Sequence, residues 1–400
     1  KTDIGGLEGN MTKQSIPPLI DYFKDIKDPR IERNKAYPLV EVIVITLLAI
    51  MAFAEGWEDI EKYGKAKEPW LRKFLPLQHG IPKHDVYRRV FVRLNSEAIE
   101  QSFMAWVRAI KRDIEREVIA IDGKTVRGSF NTREDHKAIH LVSAWATENR
   151  LVFAQVKTGE KSNEITAIPT LLEMIALKGC IVTIDAMGCQ YKIADQIVGA
   201  QADYLFSLKE NQETLYDDVK TCFEDVDDTH PEADVSTHTT FDVDHGRLER
   251  RFHGITGDVS WLVERHPAWN SIKSIGFIDA RREIGDKVSF QRRYYVSSLP
   301  PDPVLFATTA RAHWGIENSL HYVLDVVYRE DGARIKSGNA PENWAYFRKI
   351  ALTVARADEE SKDSIKSRVK QMAWSDEYFE RLLFHTSFAS EALLSEASSS

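Results

Sequence analysis

The chain has few cysteines and no long apolar run, and both shortages exclude whole classes of protein. Its 400 residues include only three cysteines, none in a C-x-x-C spacing: Cys180, Cys189 and Cys222. A disulfide framework and a zinc finger are therefore excluded, and a reducing cytoplasm is favoured. The longest apolar run, residues 42–54, is shorter than the roughly 20 residues that span a bilayer. We expect a buried helix there.

A secretory signal and internal repeats are also missing from the sequence. Residues 1–10 contain neither a basic nor an apolar signal region, so we expect them to be a remnant of the expression vector before a natural start at Met11. This predicts a cytoplasmic protein with no membrane partner. The length predicts two or three structural units.

The net charge of −8 argues at first against a nucleic-acid partner, because phosphate binding needs a cationic surface. One segment carries that charge. Residues 211–245 contain eleven Asp or Glu against Lys220 alone, a local charge of −10 that leaves +2 for the rest of the chain. Residues 81–130 hold ten Lys or Arg against seven acids. The composition permits DNA binding without demonstrating it, and the role of residues 211–245 stays open.

Residues 20–115 have a helical pattern interrupted by prolines, which predicts an all-α N-terminal domain over residues 11–115. Within it, "HDVYRRVFVRL" predicts a short basic helix. Its arginines are Arg88, Arg89 and Arg93. Two interpretations stay open: the DNA-reading helix of a helix-turn-helix, or a bundle helix with a basic outer face.

After Arg116 the pattern changes to β-β-β-α-β-α-β, an antiparallel start followed by α/β alternation. We expect a first core segment at 116–210, an acidic and β-rich segment at 211–303, a second core segment with a long helix at 304–375, and a C-terminal tail at 376–400.

Two aspartates end short apolar strands, Asp122 in "AIDGKT" and Asp185 in "TIDAMG". Open α/β sheets bind ligands beyond the carboxyl ends of their strands. Two neighbouring anions need a shared proton or a cation, and a few oxygen ligands suit Mg²⁺ or Mn²⁺. Such ions catalyse phosphodiester displacement. The plain alternative is that both aspartates only begin turns.

The segment "ARAHWGIENSLHYVLDVVYRED" predicts a helix with His313, Glu317 and His321 on one line beside an apolar stripe. Glu317 at the edge of the core can supply a third acid. Two alternatives pair Glu317 with His321 or with Arg311. A third alternative is a zinc site made by His313, Glu317 and His321, which is less favoured because His313 and His321 lie about 12 Å apart along a straight helix.

These segments, together with "HGRLERR", "WEDIEKYG" and "HDVYRRVF", resemble the DDE transposases of bacterial insertion sequences, in the branch of H-repeat-associated proteins linked to Rhs elements. The resemblance covers residues 11 to about 373. It implies an α/β RNase H-like catalytic core with a β-rich insertion, preceded by the all-α domain. It also implies that Asp122, Asp185 and Glu317 form the catalytic triad and bind two Mg²⁺ ions, for which Mn²⁺ can substitute.

The sequence departs from the Y-R-E-K signature of related transposases, in which Trp314, Ile316 and Glu317 have counterparts. The tyrosine, arginine and lysine positions hold Ala310, His313 and Leu324. The residues expected to contact DNA phosphates in their place are Lys124, Arg311, His313 and His321, with Arg247 and Arg250 on a strand of the insertion. An ordinary exposed strand is the alternative for the last two.

The resemblance implies metal-dependent cleavage at transposon ends and strand transfer into double-stranded target DNA, by a homodimer in the synaptic complex. It also implies a bacterial protein that is associated with the nucleoid when bound to DNA. Two other functions remain open at this point. One is a domesticated or inactive DNA-binding protein. The other is an RNase H-like nuclease that cuts without joining.

Overall fold

The computed structural model describes residues 18–32, 35–130, 137–159, 164–228, 234–244, 247–358 and 361–385. The proposed vector remnant and Met11 lie outside these ranges. The chain divides into two compact units: the residues up to Ile110 together with those from Ser337 onward, and Lys111–Lys336. From the sequence, residues 337–375 were expected to belong to the core with the sheet. In the structure they group with the N-terminal helices. Among the described residues, no helix is long and apolar enough to cross a membrane.

The first unit is helical. Its helices are α1 (Pro18–Asp21), α2 (Leu39–Met51), α3 (Trp57–Leu71), α4 (His84–Arg93), α5 (Ser96–Ile110), α12 (Ala340–Arg356), α13 (Ile365–Trp374) and α14 (Asp376–His385). The expected buried helix is α2, which is buried along almost its whole length and packs against α12. Because α12 is buried on nearly all sides among α2, α4 and α5, it belongs to this bundle.

Helix α14 occupies part of the segment expected to be a C-terminal tail. Phe379 stacks on Trp70 with ring centroids 5.4 Å apart, and the Trp70 indole donates to Glu380 at 2.7 Å. These contacts hold in place residues that were expected to belong to the tail. The remainder of the expected tail, residues 386–400, lies outside the described residues.

The basic helix α4 buries Tyr87, Val90 and Phe91 and leaves its arginines exposed. The connection from α3 to α4 covers residues 72–83, much longer than the three- to four-residue turn of a helix-turn-helix. The structure therefore favours a bundle helix with a basic outer face.

The second unit contains one nine-stranded sheet. Its strands are β1 (Val118–Thr125), β2 (His140–Ala146), β3 (Leu151–Lys157), β4 (Ile181–Ile184), β5 (Asp203–Leu208), β6 (Ser236–Asp244), β7 (Arg247–Thr256), β8 (Ser274–Ile284) and β9 (Lys287–Ser297). Their order is β3-β2-β1-β4-β5-β9-β8-β7-β6. Strands β1, β2 and β3 are antiparallel, whereas β1, β4 and β5 are parallel. Helix α6 (Glu164–Glu173) leads from β3 to β4, and α7 (Tyr191–Gly199) leads from β4 to β5.

The acidic segment 211–245 forms ordered secondary structure in its described part. It contains α8 (Glu213–Asp228) and β6. Neither element was predicted, because the acidic composition drew attention to charge and not to secondary structure. Strands β6 to β9 form an antiparallel series that joins β5 through β9, and the short α9 (Ser260–Arg265) lies between β7 and β8.

Helix α10 (Pro303–Gly315) packs on this sheet. It begins at Pro303 because the Asp302 carboxylate accepts hydrogen bonds from the amides of Val304 and Leu305 at 2.9 and 3.0 Å. Phe306 is 1% exposed and meets the Tyr295 ring edge-on at 5.3 Å. It anchors a cluster with Leu205, Ile255, Ile278, Tyr295 and Ala310.

We expect Phe306→Ala to lower the free energy of unfolding by about 3–5 kcal/mol, because the truncation leaves a cavity under α10. Val304→Ala is the matched control, since Val304 lies on the same helix and is 51% exposed; its effect should stay within about 0.5 kcal/mol. Urea denaturation followed by circular dichroism measures both. Equal losses in the two variants would contradict the assigned packing.

Candidate active site

Asp122 and Asp185 occupy adjacent positions on neighbouring parallel strands. The parallel register of β1 and β4 ends with Ile121 opposite Ile184, and each aspartate is the next residue. Asp122 was expected to end β1. In the structure β1 continues to Thr125, where it pairs with β2 alone. It is the parallel pairing that ends just before Asp122, and this brings the two carboxylates to one edge of the β1–β4 ladder.

Local backbone fixes both carboxylates. The Asp185 carboxylate accepts hydrogen bonds from the amides of Met187 and Gly188 at 3.1 and 3.4 Å, where a 3-10 turn (Ala186–Gly188) begins. The Asp122 carboxylate accepts from the Gly123 amide at 2.9 Å. Burial raises the pKa of Asp185, and the nearby carboxylates of Glu164 and Asp122 raise it further. Concentrated negative charge of this kind favours a bound cation.

Glu317 lies in a π-helical segment (Ile316–His321) between α10 and α11 (Tyr322–Val326). The predicted straight helix is therefore interrupted, and its first part begins at Pro303. A π-turn widens the helix by one residue and is common at functional sites. Ile316 and Leu320 remain buried against the sheet, while the Glu317 side chain is 58% exposed.

His321 lies between Glu317 on the helix and Asp122 on β1 and contacts both. Its Nδ1 lies 3.3 Å from Glu317 Oε2 and 3.4 Å from Asp122 Oδ2. The ligand atoms of the three residues all lie within 4.8 Å of one another. His321 is 5% exposed, and its buried Nε2 has no hydrogen-bond partner among the described residues. Glu317 does pair with His321, which was one of the alternatives from the sequence. Asp122 contacts the same nitrogen of His321.

These contacts shift two pKa values in opposite directions. Burial alone would lower the pKa of His321, but the hydrogen bonds to Asp122 and Glu317 outweigh burial and raise it. The hydrogen bond from His321 lowers the pKa of Glu317. Each charged form therefore stabilises the other in the folded chain.

We expect the stabilisation from His321 to depend on pH in the metal-free protein. With a raised folded pKa, it is fully present below the unfolded value of about 6.5 and is lost as pH rises through the folded pKa. The part that depends on Glu317 is lost as pH falls through that group's lowered pKa. Urea denaturation in EDTA should show a larger advantage of wild type over His321→Gln near pH 6 than near pH 9. A difference that is the same at both pH values would contradict this.

The other helix residues have separate partners. His313 Nδ1 lies 3.0 Å from the Thr183 hydroxyl on β4, and burial lowers the pKa of His313, which favours its neutral ring. Arg311 is exposed and lies 3.3 Å from Asp242 on β6, so it does not pair with Glu317. A zinc site of His313, Glu317 and His321 is not formed, because the cluster that could hold a metal includes Asp122 and omits His313.

Lys124, which the sequence had suggested as a contact for DNA phosphates, forms ion pairs with two acids. Its ammonium lies 2.5 Å from Asp325 on α11 and 2.9 Å from the buried Glu330. Burial alone would lower the pKa of Lys124, but the two carboxylates outweigh it and raise that pKa. Nearby, a Cβ on Gly128 would lie 2.1 Å from the Ala333 carbonyl oxygen, so the chain segments that follow β1 and α11 are in close contact. Together these contacts fix the α11 segment to the strand that carries Asp122.

The arginines of "HGRLERR" lie on β7 in two different environments. Arg247 pairs with the buried Glu249, which also contacts Arg251 and Arg282 at 2.9 and 3.5 Å. Arg250 is exposed, with its guanidinium 5.9 Å from the centroid of Phe241. The His245 and Gly246 of the motif lie outside the described residues. Arg247 and Arg250 were the two arginines expected to contact DNA. Of these two, only Arg250 is exposed without an ion pair among the described residues.

The sequence argument missed Glu164 and His140. The His140 ring lies 2.8 Å from the Glu164 carboxylate, and both lie against Gly123, next to Asp122. Asp325 and Glu330 were missed as partners of Lys124. No local pattern marks them as partners of Lys124, although Asp325 and Glu330 both stand in the quoted helix segment.

The residues present fit a hard divalent cation. Two carboxylates and one imidazole nitrogen converge, and Asp185 lies beside Asp122 as a further oxygen donor. A site made mostly of carboxylates suits Mg²⁺ or Mn²⁺.

Comparison with known families shows which family the chain matches. The family described as "Transposase DDE domain" matches residues 113–354, and the one described as "DDE_Tnp_1-associated" matches residues 20–107. The chain belongs to the DDE transposase family. The family predicted from the sequence motifs is thereby confirmed.

Two relatives of this transposase family align over most of both chains. "Putative transposase YncI" of Escherichia coli O157:H7 is 38% identical over 372 residues, covering 92% of this chain and 95% of its own. "H repeat-associated putative transposase YhhI" of Escherichia coli K12 is 35% identical over 372 residues, covering 92% and 98%. Among solved structures, a piggyBac transposase synaptic complex with hairpin DNA aligns at a TM-score of 0.44 and 10% identity, over 94% of this chain and 83% of that one.

Proposed function

We propose that this DDE transposase is an active DNA strand transferase whose catalytic residues are Asp122, Asp185 and Glu317. The observation that carries the proposal is the approach of Glu317 and Asp122 around His321, with Asp185 at the adjacent strand position. These acids come from segments far apart in the chain. Carboxylates that converge at a sheet edge suit phosphoryl chemistry better than a structural role, because their repulsion is unfavourable without a cation.

The proposed cofactor is a pair of Mg²⁺ ions, with Mn²⁺ as a substitute, held by Asp122, Asp185 and Glu317. When bound, such ions activate the attacking oxygen and stabilise the leaving one. The protein contributes by holding the carboxylates in fixed positions. The turn amides hold Asp185, and the Lys124 contacts hold the α11 segment against β1. His321 compensates the charge of Asp122 and Glu317.

We infer that β1 to β5 with α10 form an RNase H-like core and that residues from α8 to β9 form its insertion. The order β3-β2-β1-β4-β5, with β1 in the centre, supports this division. The proposed partners are transposon ends and target DNA, both double-stranded, bound by a homodimer in the synaptic complex. The exposed cations proposed to contact phosphates are Arg88, Arg89, Arg93 and Arg250.

The test uses duplexes that carry the terminal repeats flanking the coding DNA. The full chain with Mg²⁺ or Mn²⁺ should cut these ends and join them to a target duplex, and EDTA should abolish both steps. Cut ends that are never joined would identify a nuclease. Bound ends that stay uncut would identify a DNA-binding protein without chemistry, and either result would overturn the proposal.

A further inference from the structure

A fourth carboxylate lies close to the proposed catalytic acids. Glu164 is the first residue of α6, and its side chain is 16% exposed. A Cβ built on Gly123 would lie 2.1 Å from Glu164 Oε1 and 2.5 Å from His140 Nε2. Any side chain at position 123 would therefore collide with both groups. The Glu164 carboxylate rests directly on the backbone that follows Asp122.

A chain of polar contacts fixes this carboxylate. Glu164 Oε1 lies 2.8 Å from His140 Nε2, and His140 Nδ1 lies 2.9 Å from the Thr125 hydroxyl. The neutral ring with hydrogen on Nε2 satisfies both contacts, since it donates to Glu164 and accepts from Thr125. His140 and Thr125 face each other on β2 and β1. Two strands thus hold a helix carboxylate in one position.

Helix α6 packs against the 3-10 turn that follows Asp185, since a Cβ on Gly188 would lie 2.8 Å from Ile168 Cδ1. Glu164 at the start of that helix is therefore on the Asp185 side of the site, and its carboxylate, after burial, contributes to the raised pKa of Asp185. A glutamate in the first turn of a helix also interacts favourably with the helix dipole, which is the plain structural explanation. That explanation needs no contact with Gly123 and no approach to Asp185. Placing a third acid beside two others is unfavourable unless a cation is shared.

We propose that Glu164 is a fourth carboxylate of the divalent-cation site, on the side of Asp185, and that His140 is the positioning residue that holds it there. This inference rests on the proposed function. It assigns Glu164 to cation binding, either directly or through the water molecules that such ions retain. Gly123 is then required because only glycine leaves room for the carboxylate.

The test measures Mn²⁺ binding to the full chain by isothermal titration calorimetry, without DNA. Glu164→Gln should weaken Mn²⁺ binding by about 10- to 100-fold, in the range seen for groups that support a metal site. Glu173→Gln is the matched control, because Glu173 ends the same helix and is exposed; its affinity should match wild type. The melting temperature of Glu164→Gln in EDTA should not fall, since a purely structural glutamate would change stability and leave the Mn²⁺ affinity alone.

Unchanged Mn²⁺ affinity in Glu164→Gln would overturn the inference. His140→Gln keeps the carboxylate but removes its support, and it should weaken binding several-fold; if Glu164→Gln does not fold, His140→Gln decides, and wild-type affinity in it overturns the proposal. Asp122→Asn distinguishes a failure of this inference from a failure of the proposed function. Weak binding in Asp122→Asn with normal binding in Glu164→Gln rejects only this inference, whereas a wild-type chain that binds no Mn²⁺ rejects the proposed function as well.

Discussion

Asp122→Asn should reduce strand cleavage by about 10³-fold, with joining reduced in parallel. Losing one carboxylate ligand removes about 4 kcal/mol of electrostatic stabilisation from the transition state, and each 1.36 kcal/mol is tenfold in rate. Asn keeps the shape of the side chain, which is only 26% exposed, and can still meet the Gly123 amide. The fold should therefore survive. The measurement is the rate of cleavage of labelled end DNA under Mg²⁺ at saturating protein.

The control for this variant is Asp217→Asn, which removes one negative charge from the exposed face of α8 in the same unit. Its cleavage rate should stay within about twofold of wild type, since charges at exposed positions are screened. If Asp122→Asn cut end DNA at a wild-type rate, the assignment of Asp122 to the catalytic centre would be wrong.

Lys124→Met should lower the free energy of unfolding by about 3 kcal/mol and reduce cleavage by about 10²-fold. Glu330 is 1% exposed, and Lys124→Met removes one ion-pair partner from this buried carboxylate. The same change releases Asp325 and loosens α11, which follows the segment that carries Glu317. A displacement of about 1 Å at a catalytic group can cost such a factor. Urea denaturation and the cleavage assay measure the two effects.

Lys220→Met provides the comparison, because Lys220 lies 3.8 Å from Glu224 in an exposed pair on α8. An exposed pair contributes little, so this variant should lose no more than about 0.5 kcal/mol and should keep its activity. A similarly small loss in Lys124→Met would show that the contacts between β1 and the α11 segment do not support the site.

The sequence predicted the features that depend on local pattern. The short apolar runs before Asp122 and Asp185 are short-range signals, and the parallel pairing that aligns them follows from the β-α-β order. Glu317 was placed near them because the apolar stripe on its helix must face the sheet. The buried helix α2 was recognisable because a long apolar run has few alternatives.

The missed features depend on contacts between distant residues or on small backbone changes. A π-turn at Ile316–His321 has nearly the same apolar period as an α-helix, so a helical wheel does not detect it. The partners of Lys124 lie about 200 positions further along the chain, at Asp325 and Glu330. Strand β6 was obscured because it lies in the acidic segment 211–245, although the strand itself contains three threonines and a valine, which favour β-structure.

Crystals of the full chain soaked in Mn²⁺ give the most direct test, by anomalous scattering. The account predicts Mn²⁺ peaks about 2.1 Å from carboxylate oxygens of Asp122, Asp185 and Glu317, with His321 rearranged around them. Mn²⁺ bound only elsewhere, with these three acids still in their metal-free contacts at a saturating concentration, would contradict it.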